Sequence, residues 1–278
     1  MNDLLFKSIT EMAPLIQSRQ VSPVELVEAA LDHIALTDGR LNAFPVVKAA
    51  EALAAAREAE AEIATGRYRG PLHGLPVGFK DNIAVRGWVT TCGSPILAEH
   101  VTDYDAAVVE RLRDAGAVVI GKNNMHEWAL AGSCTYSVFG TVHNPWDPNR
   151  TSGGSSGGSG AAVSAGQAFL SVGTDARASI RNPASYCGVV GLKPSTGLVS
   201  RYGELPPTSA QYMVIGPIAR TAADVAIAMN AMVGYDPRDP GSANHPPEDY
   251  VAALRADLSG LRIGVLEDDF IWDVTVPE

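Results

Sequence analysis

The chain has 278 residues, enough at roughly 150 residues per domain for one large domain or two small ones and for a well-buried core. With 46% hydrophobic and 19% charged residues, 27 Gly and 18 Pro, it is neither a disordered chain nor a coiled coil nor a collagen-like repeat. Its 21 basic against 31 acidic residues leave a net charge of −10, so no basic footprint for phosphate backbones exists and direct nucleic-acid binding is not expected.

Cys92, Cys134 and Cys187 contain no CxxC pair and have the wrong parity for a disulfide framework, which fits a reducing compartment. The first ten residues, MNDLLFKSIT, lack the layout of a secretory signal, and nothing reaches the ~18 to 20 consecutive apolar residues of a membrane span. A soluble, cytoplasmic protein without membrane association is expected.

In chain order, Ser22-Pro23-Val24-Glu25 has the form of a capping box with Pro at the first helical position, and Val24, Val27, Leu31 and Ile34 follow at helical spacing. An extended stretch, Ala43 to Val47, leads into an alanine-rich helix from Ala49 to Thr65 that Gly66 stops. Asp105 to Ala115 reads as a helix ending at Gly116. Thr221 opens another that runs through Val233 to Gly234. The runs Leu75 to Val77, Val118 to Ile120, Phe169 to Gly173, Val189 to Leu192 and Leu261 to Leu266 are short and apolar without alternation, the pattern of strands covered on both faces. Strands interleaved with helices argue an α/β protein with a largely parallel or mixed sheet.

Thr151 to Gly160 reads TSGGSSGGSG, which alone would be a flexible linker. It runs directly into a small-residue helix, Ala161 to Gln167, and then a strand, so it belongs inside a domain. His126-Glu127 begins like a zinc-protease motif, but Leu130 stands where the second His is needed, and no metal site is expected.

Three separated segments carry the chemistry: GPLHGLPVGFKDNI at Gly70 to Ile83, the Gly/Ser loop, and LSVGTDARASIRNPASYCGVVGLKP at Leu170 to Pro194. In order and spacing they resemble the amidase signature family of serine hydrolases, and the resemblance extends to GPIARTAADVAIAMNAMVGYDP at Gly216 to Pro237. It implies one amidase signature domain over residues 1–278, α/β with a mixed central sheet covered by helices, its C-terminal part missing. A chain that ends soon after a strand is then expected to self-associate, with a homodimer as the simplest form.

The resemblance further implies a catalytic triad of Ser179 as nucleophile, Ser155 as a serine on a cis peptide bond, and Lys80 as base. Physical chemistry fits those types. A serine hydroxyl needs a neighbouring base, and lysine serves as one only when burial depresses its pKa by about three units. Lys80 follows the apolar run Leu75 to Phe79, so a buried strand end would supply that environment. Glycines beside Ser155 would allow positive φ and close approach of substrate.

The family's backbone donors to the oxyanion correspond to Ala176, Arg177 and Ala178. Here the chain reads Ala-Arg-Ala-Ser where Thr-Gly-Gly-Ser is usual, so the hole works only if that backbone does not demand glycine. Asp175 and Arg181 are expected to support the nucleophile loop as an ion pair, Ser156 and Ser159 to act as turn or cap residues near the cis-serine, and Cys187 to pack.

The implied reaction is hydrolysis of a carboxylic amide through an acyl-enzyme, on a small-molecule amide and with no cofactor. One alternative is the glutaminase-type component of a tRNA-dependent amidotransferase. It ranks second because Gly132-Ser133 is followed by Cys-Thr-Tyr-Ser where that component's substrate loop usually reads Ser-Thr-Glu-Asn-Ser. The other is a non-catalytic, truncated pseudo-amidase.

Overall fold

The apolar, non-alternating runs of the sequence become the inner strands of one mixed sheet. The computed structural model describes residues 2–206, 212–246 and 248–264. Its strands are β1 (Val46–Val47), β2 (Pro76–Lys80), β3 (Val118–Asn123), β4 (Leu170–Asp175), β5 (Val190–Gly191) and β6 (Val214–Ala219), in the spatial order β1-β3-β2-β4-β6-β5. β2 is parallel to both β3 and β4, whereas β1 pairs antiparallel with β3, and β6 antiparallel with β4 and β5. Every residue of β2, β3, β4 and β6 is buried, as a sheet covered on both faces requires.

The cover comes from helices α1 (Asn2–Leu5), α2 (Ile9–Gln17), α3 (Pro23–Leu41), α4 (Ala49–Ala64), α5 (Ala107–Asp114), α6 (Gly157–Ser164), α7 (Arg181–Cys187), α8 (Ala222–Met232) and α9 (Tyr250–Ala253). Alternation along the strands separates two cores. Val77, Phe79 and Val119 enter one with Leu26, Leu112 and Met229, while Val118 and Ile120 enter the other with Val27, Ala56 and Ala161. Gly78 belongs to the second side, because a Cβ there would meet the Phe44 ring at 2.9 Å. Lys80, two residues on, therefore leaves the strand toward that same side. No helix among the described residues is long and apolar enough to cross a membrane.

The helix stops expected from glycine are in place, with Gly66 at φ 86° and Gly116 at φ 85°. Ser22 caps α3 by accepting the amides of Val24 and Glu25 at 3.0 and 3.3 Å, but its hydroxyl donates to the Glu60 carboxylate of α4 and no reciprocal bond from Glu25 forms. The complete capping box lies earlier, at Ser8 and Glu11 ahead of α2. Three strands extend further than their apolar runs, and β6 and α7 were not anticipated. The expected strand Leu261 to Leu266 is not present over 261–264, where Leu261 and Ile263 are 63% and 81% exposed with no strand to pair against; its last two residues lie outside the described residues.

Candidate active site

The Gly/Ser segment is an ordered turn into a helix. α6 begins at Gly157 inside the segment, four residues before the apolar stretch that signalled it. Only Gly153 of the glycines around Ser155 has a positive φ, 75°. The others are needed for space, since a Cβ on Gly154 would lie 2.3 Å from the Ser133 carbonyl oxygen and one on Gly158 2.5 Å from that of Asn124. The Gly154–Ser155 peptide bond is cis.

Lys80 is the last residue of β2 and is fully buried, as is Ser155. Lys80 Nζ lies 2.7 Å from Ser155 Oγ and 2.7 Å from Thr174 Oγ1, with the Thr174 carbonyl at 3.5 Å. Burial pulls the ammonium pKa down from 10.5 to about 8, partly opposed by Cys134, Glu204 and Asp175. The amine is thus poised to exchange a proton near neutral pH.

Ser179 sits on the turn between β4 and α7. Its carbonyl accepts the Ser156 amide at 3.1 Å, which ties the nucleophile turn to the cis-serine loop. The Ser179 side chain makes no hydrogen bond among the described residues, so the Ser155 and Ser179 hydroxyls are neighbours on linked loops without a direct bond. Ser156 occupies the N-cap position of α6 yet caps nothing. Its hydroxyl instead exchanges bonds of 3.3 Å with the Thr174 carbonyl and amide. Ser159 reaches Asn123 Oδ1 at 3.5 Å.

Asp175 organises the turn. Its carboxylate accepts the amides of Ala178 at 2.8 Å and Ile180 at 3.0 Å, and pairs with Arg181 Nε at 3.1 Å. Burial would raise the Asp175 carboxyl, but Arg181 and these backbone donors hold it below its ordinary value. The Ala178 amide is therefore engaged, whereas the amides of Ala176, Arg177 and Ser179 donate to no described group. Ala178 adopts φ 74°, a left-handed conformation that its methyl disfavours. The Arg177 side chain is exposed.

Several buried polar residues around Lys80 gave no signal in the sequence. Thr174 is the second partner of the amine, and Asn82 Nδ2 donates to Thr174 Oγ1 at 3.3 Å. Next to Lys80 on the chain, Asp81 forms a fully buried ion pair with Lys122 at 3.4 Å, and Lys122 also donates to the Ile83 carbonyl at 2.6 Å and Thr90 Oγ1 at 3.0 Å. Glu204, 5% exposed, has its carboxyl pushed up to about 7 by burial. The three cysteines are buried, and burial raises each thiol to about 12, which leaves them unreactive packing residues.

The sequence of this chain matches the Amidase family model over residues 25–278. It is 48% identical over 269 residues to the GatA-type component, named for its glutamyl-tRNA(Gln) amidotransferase, of Acidothermus cellulolyticus, an alignment covering 96% of this chain and 53% of that one. Among solved structures, a chain of a vestigial protein complex connected with the origins of an s-triazine catabolic enzyme superposes with a TM-score of 0.89 at 40% identity, covering 92% of this chain and 56% of the other. The peptide amidase of Stenotrophomonas maltophilia superposes with a TM-score of 0.84 at 39% identity, covering 89% and 53%. The chain spans about half the length of the curated relatives it matches. By sequence and fold alike, it belongs to the amidase signature family.

Proposed function

We propose that the protein cleaves the C–N bond of a small carboxylic amide through an acyl-enzyme, with Ser179, Ser155 and Lys80 as one catalytic unit. The observation that carries this reading is the 2.7 Å contact between fully buried Lys80 Nζ and Ser155 Oγ. A neutral amine has two N–H donors and one lone pair. With its N–H groups on Thr174 Oγ1 and the Thr174 carbonyl, the lone pair faces the Ser155 hydroxyl. Lys80 takes the Ser155 proton as Ser155 takes the proton of Ser179, and the Ser179 oxygen attacks the amide carbonyl. Ser155 then returns a proton to the leaving nitrogen, and water opens the ester. A small rotation of the unbonded Ser179 side chain closes the relay when substrate arrives. The oxyanion is assigned to the free amides of Ala176, Arg177 and Ser179, with the Ala178 amide committed to Asp175.

A second reading, the ammonia-producing component of a tRNA-dependent amidotransferase, is favoured by the identity of 48% to a protein named for that enzyme. It uses the same amide cleavage with glutamine as donor.

A fluorophosphonate probe tests the shared chemistry. Labelling is expected at Ser179 and absent in Ser179→Ala. Lack of labelling between pH 7 and 9 would leave a non-catalytic protein. Ser179→Ala, Ser155→Ala and Lys80→Met are each expected to reduce labelling or turnover by orders of magnitude, and their combination little more than the worst single change. Ammonia release from glutamine, compared with that from simple amides, separates the two readings.

A further inference from the structure

Glu204 lies on the segment that pairs with the chain just past Lys80. An antiparallel bridge joins it to Ile83, the Leu205 amide donates to the Asn82 carbonyl at 2.8 Å, and the Ala84 amide to the Gly203 carbonyl at 2.9 Å. The Glu204 side chain is 5% exposed and its Oε1 has no hydrogen-bond partner. Asn82 Oδ1, on the same seam, is likewise a buried acceptor without a donor, while Asn82 Nδ2 reaches the Thr174 hydroxyl that Lys80 also grips. A buried carboxyl with an unmet acceptor is stable only if it is protonated or if a nearby cation compensates it.

We propose that Glu204 is a positioning residue of the lysine centre, whose carboxylate holds positive charge on Lys80 across the seam of Asn82 and Thr174. The inference rests on the reading of Lys80 as the base. Lys80 and Glu204 act on each other reciprocally: the carboxylate raises the ammonium pKa and the ammonium lowers that of the carboxyl, against larger and opposite effects of burial. When Lys80 accepts the serine proton, ionised Glu204 compensates the new charge. When Glu204 is itself protonated, Lys80 gives up its proton at lower pH.

Other charges face this pair. Arg201 and Asp239 act on Glu204 with opposite sign. The Asp81–Lys122 ion pair adjoins Lys80 and internally cancels. Asp175, paired with Arg181, and the thiol of Cys134 face the ammonium. The Cys92 thiol, bonded to the Leu205 carbonyl at 3.3 Å, stays neutral because burial raises it to about 12. Glu204 also lines a cavity of about 330 Å³ with Tyr104 and Arg238, a route by which its proton can equilibrate with solvent.

Two measurements on the full chain test this pairing. The rate of fluorophosphonate labelling of Ser179 is followed against pH in the wild type and in Glu204→Gln, which keeps the shape and removes the charge. The rise of rate with pH is expected to move to lower pH by about one unit in the variant, the scale of one charge pair in a protein interior. An unmoved profile would overturn the proposal. Independently of labelling, the Glu204 carboxyl is titrated by difference infrared spectroscopy, its band assigned by its loss in Glu204→Gln. Its midpoint is expected to rise in Lys80→Met, because the compensating cation is gone, and an unchanged midpoint would equally overturn the pairing. A midpoint that moves in a protein never labelled at Ser179 would support the pairing while rejecting Lys80 as a working base.

Discussion

Asp175 accepts the amide of Ala178 at 2.8 Å, and Ala178 is held at φ 74° in doing so. The same carboxylate receives the Ile180 amide on the far side of Ser179, so the nucleophile candidate is bracketed by two bonds to one buried acid. A left-handed alanine costs roughly 1 to 2 kcal/mol. The charge-assisted bonds to Asp175 offset that cost and hold the turn that glycines would adopt freely.

Replacing Ala178 by glycine removes the methyl that resists positive φ. Against this, glycine adds about 0.5 to 1 kcal/mol of unfolded-chain entropy. Ala178→Gly is therefore expected to raise stability by up to ~1 kcal/mol and to leave labelling of Ser179 at least as fast. Urea unfolding checks the first part, and a clear loss of stability would show that the turn carries no strain.

Asp175→Asn leaves backbone amides and Arg181 without their charged acceptor. A loss of about 2 kcal/mol at pH 7 is expected, the usual scale for a buried, charge-assisted network. The Asp175 pKa is lowered in the folded protein, so its contribution is present above the ordinary carboxylate range and lost as pH falls through the folded value. The gap between wild type and variant in urea melts should accordingly narrow at strongly acidic pH.

For Lys80 the sign is reversed. Its folded pKa of about 8 lies below the ordinary 10.5, so the unfolded chain binds more protons between those values and wild-type stability should climb as pH rises through that window. Below it, the buried lysine costs on the order of 3 kcal/mol. Lys80→Met relieves that cost and forfeits the bonds to Ser155 and Thr174. Activity should collapse while stability at pH 7 stays level or increases, and the alkaline gain should vanish. A variant that is both active and less stable would contradict the assignment of Lys80 as a buried base.

The exposed side chain of Arg177 points away from a role in the acyl pocket. Arg177→Gly is expected to preserve labelling of Ser179 and to change turnover of neutral amides by less than about tenfold, or ~1.4 kcal/mol in the barrier. Selective loss of activity toward carboxylate-bearing amides would instead make Arg177 a specificity residue.

What the sequence determined by itself was local. Gly66 and Gly116 end helices because only a few neighbouring residues decide whether the chain can turn left-handed there. The run Leu75 to Phe79 announced a buried strand, and the burial of Lys80 at its end follows from that run alone. Tertiary structure decided the rest. β6 reads VIGPIA, in which Gly216 and Pro217 break the strand pattern, and its identity comes from pairing with β4 and β5 on either side. The Gly/Ser segment has linker composition, but the Ser133 and Asn124 carbonyls pack so close that only glycine fits. Lys80 meets Ser155 across 75 residues, and Glu204 and Lys122 are buried although charged residues ordinarily stay in water. Such burial depends on partners brought in from distant strands and loops, and so becomes visible only once the sheet has assembled.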